Sequence, residues 1–228
     1  MMKSILFLTL ACFCLSTMAT SGRAQPTSRC HCFRDRVFDP ATPFAADDYL
    51  LTTSFTSLIA ATLGISKRQI IMMKMKDRID PETLLIAAYI AKNTRSQLNL
   101  LLSIHDNGGS WQRIVGAPSL QKKAAQDTVL SSIAKGLPDR QISQLVADQI
   151  VSRHYGLSAA TIQSLRRQGF SSKEINLLCA LHTYKNRSFQ HLITMRQTRQ
   201  MSWSAIANSL QLTPKEMGIR ILTTVNDG

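Results

Sequence analysis

The chain has 228 residues, of which 44% are hydrophobic, and its 27 Lys and Arg against 14 Asp and Glu give a formal net charge of +13. Such an excess of cations favours anionic partners such as nucleic acid, anionic lipid or an acidic envelope polymer. Only three glutamates occur, so a hydrolase built on a pair of carboxylates is poorly supplied, although aspartates could serve.

The N-terminus has the features of a secretory signal peptide. Lys3 precedes an apolar core, ILFLTLACFCL, and the sequence GRA at 22–24 fits the small-x-small cleavage pattern. The core is too short to span a bilayer, and no later stretch approaches the roughly 18 to 20 apolar residues of a membrane helix. We therefore expect residues 1–24 to be removed and the rest to be exported, periplasmic or secreted, with no transmembrane span. Removal takes away two basic residues and no acidic one, which leaves a charge of +11.

Residues 25–45 are predicted to be an irregular segment that contains a Cys-x-Cys motif. Cys30, Cys32 and Cys179 remain after loss of the signal peptide, and an oxidising compartment would let two of them pair. Cys179 lies in an apolar helical pattern and is expected to be an inert core thiol, so Cys30 and Cys32 are the candidates for a local disulfide. The alternatives are free thiols, an intermolecular site, or a metal site that also uses His31, although three adjacent residues cannot complete a tetrahedral metal shell.

The rest of the chain contains an internal repeat at an offset of 92 residues, which we interpret as two divergent copies, residues 46–135 and 136–228. The register slips by one residue between positions 77 and 94, as a turn of unequal length would cause. The matched positions include both tryptophans: Gly64 with Gly156, Ile70 with Ile162, Arg95 with Arg187, Trp111 with Trp203, and Ile114 with Ile206.

Within each copy the signals are helical. A glycine ends the first helix, and a serine two residues later, Ser66 or Ser158, caps the second. The third helix begins with Asp-Pro-Glu at 80–82 in one copy and with Ser-Ser-Lys-Glu at 171–174 in the other. No run alternates apolar and polar residues with β-branched enrichment. The sequence therefore predicts an all-α fold of two tandem divergent helical repeats, each of five or six short helices.

The corner between the first two helices resembles the helix-turn-helix of bacterial DNA-binding proteins. The stretch IAATLGISKRQI at 59–70 has the turn glycine and the Ser-capped second helix, and VSRHYGLSAATI at 151–162 follows the same pattern. The resemblance implies that basic residues near the second helix contact nucleic acid. A glycine stop and a serine cap also suit any tight helical corner, and export separates a protein from the chromosome. The candidates for binding nucleic acid or another anion are Lys67, Arg68, Lys74, Arg166 and Arg167.

Motifs for catalysis or for cofactor binding are missing from the sequence. The histidines have no zinc-type spacing, no glycine-flanked serine elbow occurs, and the glycine patterns that bind phosphate or dinucleotides are absent. MMKMK at 72–76 is similar to methionine-rich copper(I) sites, but core filling with two adaptable surface methionines is the simpler explanation. We therefore expect no cofactor and favour a non-enzymatic role, with enzymatic activity left open.

As a whole, the chain resembles uncharacterised exported helical proteins of bacteria, through its Cys-x-Cys segment and its repeated Gly-[Ile/Leu]-Ser and Ser-Trp-x-x-Ile units. That resemblance covers most of the mature chain and implies no activity. We expect an exported binding or structural module whose basic surface contacts an anionic envelope polymer, a lipid surface or a partner protein. A helix-turn-helix nucleic-acid-binding protein, and a metal or thiol redox protein using Cys30 and Cys32, are the alternatives.

Overall fold

The computed structural model describes residues 36–223, and within that range the secondary structure is entirely helical, which confirms the prediction of an all-α fold. The predictions for residues 1–24 and for Cys30, His31 and Cys32 lie outside the described residues. A π-helical segment, Thr194–Thr198, continues the eleventh helix. The helices are α1 (Asp47–Leu63), α2 (Lys67–Met75), α3 (Pro81–Thr94), α4 (Leu98–Asp106), α5 (Trp111–Val115), α6 (Pro118–Gln126), α7 (Thr128–Ala134), α8 (Asp139–Tyr155), α9 (Ala159–Arg167), α10 (Ser172–Lys185), α11 (Phe189–Ile193), α12 (Trp203–Ser209) and α13 (Pro214–Thr223).

The helix boundaries follow the capping residues of the sequence. Gly64 and Gly156 adopt the left-handed backbone that ends α1 and α8, with φ of 72° and 65°. The hydroxyl of Ser66 accepts a hydrogen bond from the backbone of α2, and that of Ser158 does the same for α9. The Asp80 carboxylate caps α3. These local hydrogen bonds fix where each chain segment turns.

One hydrophobic core extends through both halves of the described chain. Two helices, α3 and α10, are buried on all sides over residues 84–90 and 175–181. Both runs are apolar because no face of either helix meets water over those residues, with the exception of Asn176, whose Oδ1 atom accepts a hydrogen bond from the Tyr155 hydroxyl. The first helix of each half packs against the buried helix of the other half, so that α1 lies along α10 and α8 lies along α3.

The two ends of the described chain meet on the surface of α1. The last helix, α13, packs along α1 over much of its length. Met217 and Ile221 of α13 are fully buried in this contact layer. The Asp47 carboxylate accepts hydrogen bonds from the first two backbone N–H groups of α12, at 3.0 and 2.8 Å. The chain is therefore closed on itself by both packing and capping.

None of the helices within residues 36–223 is by itself long and apolar enough to cross a membrane. Helices α1 and α2 reach the length and apolar composition of a membrane span only when they are taken together, and a bend of 120° separates them.

Candidate anion-binding site at helix α2

Helix α2 lies on the surface of the molecule, at a bend of 120° from α1. Ile70 and Met73 form its buried face. The outward face carries Ile71, Met72 and Met75, which are 40%, 45% and 53% exposed, together with the exposed Arg68. Surface helices usually turn polar residues to water. Helix α2 instead presents apolar side chains outward, and it contains no acidic residue.

Lys74 lies between two cavities that are both lined by residues of α2. We name this pair of cavities the α2 groove. The larger cavity, of about 470 Å³, is bounded mainly by α1 and by the N-terminal ends of α3 and α10. The smaller cavity, of about 270 Å³, is bounded by α1, α2 and Arg36. Thr52, Thr56 and Lys74 line both. The apolar walls include Phe55, Ile59 and Leu84 in the larger cavity and Tyr49, Ile71 and Met75 in the smaller one.

The Lys74 ammonium is held at a partly buried position with no hydrogen-bond or ion-pair partner among the described residues. Burial lowers its pKa, and repulsion from the Lys173 ammonium lowers it further, while Asp48 acts in the opposite direction. Among residues 36–223, no hydrogen bond or ion pair within 4.0 Å joins Lys74 to another side chain. A bound anion would remove this electrostatic cost, because an opposite charge within about 4–6 Å favours the charged form of a lysine.

Two further lysines bring positive charge to the groove. The Lys67 ammonium donates a hydrogen bond to Ser57 Oγ at 2.9 Å, and burial lowers the pKa of this group as well. The Lys173 ammonium of α10 donates to Thr52 Oγ1 at 2.8 Å and lies 3.7 Å from Asp48 Oδ1. The larger cavity also has carboxylates at its edge, whereas the described residues that line the smaller cavity include three cations and no acid.

The corner between α8 and α9 holds an ion pair at the corresponding positions. Arg166 lies 92 residues after Lys74, and Asp148 lies 92 residues after Thr56. Arg166 Nη2 donates to Asp148 Oδ1 at 2.5 Å and to Ser172 Oγ at 2.6 Å. The Arg166 guanidinium of α9 therefore has partners within the protein. In the corner between α1 and α2, the position that corresponds to Asp148 holds Thr56, so Lys74 has no carboxylate there.

The outward face of α9 also differs from that of α2. Both helices have nine residues, and each buries two apolar side chains at the same relative positions. At the positions of Ile71 and Met75, α9 carries Gln163 and Arg167, both exposed. Apolar residues on the outward face are therefore a property of α2 and are not a requirement of this helical corner.

The five predicted anion contacts thus have different surroundings. Lys67 and Lys74 line the α2 groove, and Arg68 is exposed beside it. Arg166 is used in the ion pair with a carboxylate of α8, and Arg167 is exposed on α9. The sequence analysis missed Lys173, because it belongs to a capping segment that reaches α2 only through the packing of α10 on α1.

The histidines, cysteine and carboxylates that the structure describes do not form a metal site. Within residues 36–223, no group of three or more His, Cys, Asp or Glu is arranged to hold a metal ion. The Cys179 thiol is buried, as expected for a core thiol, and burial raises its pKa to about 12. The nearby His182 ring has its Nδ1 atom 2.7 Å from the Arg187 carbonyl oxygen and stacks on Phe189.

Comparisons with known proteins contribute no assignment. No family model matches the sequence, no curated protein matches it, and no solved structure matches the chain. The function is therefore inferred from the geometry around α2.

Proposed function

We propose that the protein is an exported, non-enzymatic binding module that holds an anionic envelope component in the α2 groove. The observation that carries this proposal is the Lys74 ammonium, which lies between two cavities with no ion-pair partner in the described part of the chain. Lys67 and Lys173 add charge on either side of it. The ligand would supply a phosphate, sulfate or carboxylate group to these three cations.

The two halves of the chain support this proposal if they are divergent copies, as we also propose. Helices α1 and α8 have 17 residues each and begin 92 residues apart, and α3 and α10 have 14 residues each and begin 91 apart. One copy would then keep an internal carboxylate, Asp148, next to its cation. The other copy has Thr56 there, which leaves the place of that carboxylate for a ligand.

Binding can be measured by calorimetry with two soluble probes at low salt, dextran sulfate and short-chain phosphatidylglycerol below its micelle concentration. Lys74→Met removes the charge and keeps a long apolar side chain, and Thr56→Asp supplies an internal carboxylate in the manner of Asp148. Since hydrogen bonds to charged groups contribute about 1.5–3 kcal/mol, each variant should bind at least about tenfold more weakly.

Thr56→Asn is the matched control, because it has the size of the aspartate without the charge and should bind within about threefold of the wild type. Binding should also weaken as pH rises, starting below the pH at which an ordinary lysine loses its proton, because burial lowers the pKa of Lys74. Equal affinity of the wild type, Lys74→Met and Thr56→Asp for both probes would refute the proposed site.

Nucleic-acid binding is the second candidate function, and the 120° bend between α1 and α2 favours it because helix-turn-helix units have crossings of about 90–120°. The outward face of α2 does not suit this role as well. Ile71, Met72 and Met75 occupy positions where a recognition helix would present polar groups to base edges and phosphates. Calorimetry with duplex DNA, beside the two probes above, separates the candidates.

A further inference from the structure

The outward face of α2 is a compact apolar patch within a basic stretch of the chain. Ile71, Met72 and Met75 lie within two helical turns, and all three are exposed. Residues 67–78 contain five basic residues and one acidic residue, for a local charge of +4. Exposed apolar side chains scattered singly need no explanation, but a cluster ringed by cations marks an interaction surface.

The fold itself does not require this patch. Helix α9 makes the same corner with α8 and buries Ile162 and Leu165 as α2 buries Ile70 and Met73. Its outward residues are nevertheless polar, with glutamine and arginine at the positions of Ile71 and Met75. The apolar side chains of α2 are therefore available for a contact outside the described residues.

The charge of the surface restricts what can cover it. A second copy of this chain would bring the same positive charge to the interface, and like charges oppose association. Nucleic acid would neutralise the cations but would leave three apolar side chains against a charged backbone. An anionic bilayer supplies both partners, because its headgroups attract basic residues and its acyl region accepts apolar side chains.

We propose that α2 docks the protein on the surface of an anionic bilayer, with Ile71, Met72 and Met75 entering the interface and Lys67 and Lys74 holding lipid phosphate groups. This inference rests on the proposed anion-binding function and names its ligand as membrane phospholipid. Long lysine side chains can keep their ammonium groups at headgroup level while their stems lie against apolar surface.

The test uses residues 25–228, the chain expected after signal removal, and co-sedimentation with two kinds of vesicle at 150 mM salt. One kind is pure phosphatidylcholine, and the other contains 30% phosphatidylglycerol. The decisive variant is Ile71→Gln, Met72→Ser and Met75→Arg combined, which gives α2 the outward residues of α9 and raises the charge by one. Insertion predicts at least about tenfold weaker partitioning onto phosphatidylglycerol vesicles.

A purely electrostatic attachment predicts the opposite result, because the added arginine would keep or strengthen vesicle binding. That outcome overturns the inference, and so does equal binding of the wild type to both kinds of vesicle. Met72→Ser alone should weaken partitioning onto phosphatidylglycerol vesicles but should bind monomeric short-chain phosphatidylglycerol as the wild type does, because Met72 lines neither cavity of the α2 groove. Loss of the docking mode is thus distinguishable from failure of the α2 groove, which Lys74→Met and Thr56→Asp test.

Two controls keep the result specific to α2. Leu100→Gln with Ile104→Gln removes two other exposed apolar side chains, on α4, and should leave vesicle binding unchanged. An environment-sensitive fluorophore on Met75→Cys, in a chain with Cys30→Ser and Cys32→Ser, should shift to the blue on anionic vesicles, whereas the same label on Gln163→Cys should not. Equal shifts at both positions would contradict docking through α2.

Discussion

Burial decides the chemistry of Cys179. Its side chain is 1% exposed, and the pKa of its thiol is raised to about 12. The nucleophile in thiol exchange is the thiolate, which this environment suppresses while also blocking access. In residues 25–228 with Cys30→Ser and Cys32→Ser, a disulfide reagent at pH 8 should therefore react at least about a hundredfold more slowly than in denaturant. Complete labelling of the folded chain within minutes would contradict the assignment as a core thiol.

Single residues of the candidate site were predictable to different degrees. Lys67, Arg68 and Lys74 follow from the helix-turn-helix pattern, because charge and spacing on one helix are local properties. The pairing of Arg166 with Asp148 was not predictable, since it depends on how α8 and α9 cross. The place of Lys173 depends on packing between helices more than 100 positions apart in the sequence, as its hydrogen bond to Thr52 shows.

At the scale of helices, capping was the most predictable feature. The starts of α2, α3, α9 and α10 follow the predicted capping residues because a cap is a hydrogen bond within three or four positions. The cap of α12 is different. Its own Ser202 accepts from Ala205, but the two N–H groups at the helix start are satisfied by Asp47 from the beginning of α1. No local pattern contains such a partner.

This long-range cap gives a matched test. Asp47→Ala removes the acceptor for two N–H groups and for the Ser204 hydroxyl, which lies 2.8 Å from Asp47 Oδ1, and should lower the free energy of unfolding by about 2 kcal/mol. Asp139 has the same position on α8, but its carboxylate lies 3.6 Å from His105 Nε2 and is half exposed. Asp139→Ala should therefore cost at most about 0.5 kcal/mol. Urea unfolding measures both, and equal losses would show that Asp47 does not close the chain.

For the whole molecule, the sequence repeat predicts two units of similar length but does not say how they pack. In the structure the first helix of each half packs mainly against the other half: α1 lies against α10, α12 and α13, and α8 lies against α3 and α7, with a further contact between α8 and α10 of its own half. Separating the halves would expose side chains that are buried in one continuous core. The interlocking arises from tertiary packing, which helical periodicity within each segment leaves undetermined.

The two tryptophans can report whether the halves unfold together, since Trp111 and Trp203 lie in different halves and both are fully buried. Trp111→Phe leaves only Trp203, and Trp203→Phe leaves only Trp111. In each variant, the urea transition of tryptophan fluorescence should coincide with that of far-UV circular dichroism, because a shared core makes unfolding cooperative.

The two variants should differ in stability but not in cooperativity. The Trp203 indole donates to Glu174 Oε1 at 2.9 Å, whereas the Trp111 indole nitrogen is buried with no hydrogen-bond partner among the described residues. The Trp111 ring stacks on the His105 ring. Trp203→Phe therefore leaves a half-buried carboxylate with one hydrogen bond fewer and should unfold at the lower urea concentration. If fluorescence in either variant changed at a lower urea concentration than circular dichroism, that half would unfold first, and a core shared by both halves would not hold the molecule together.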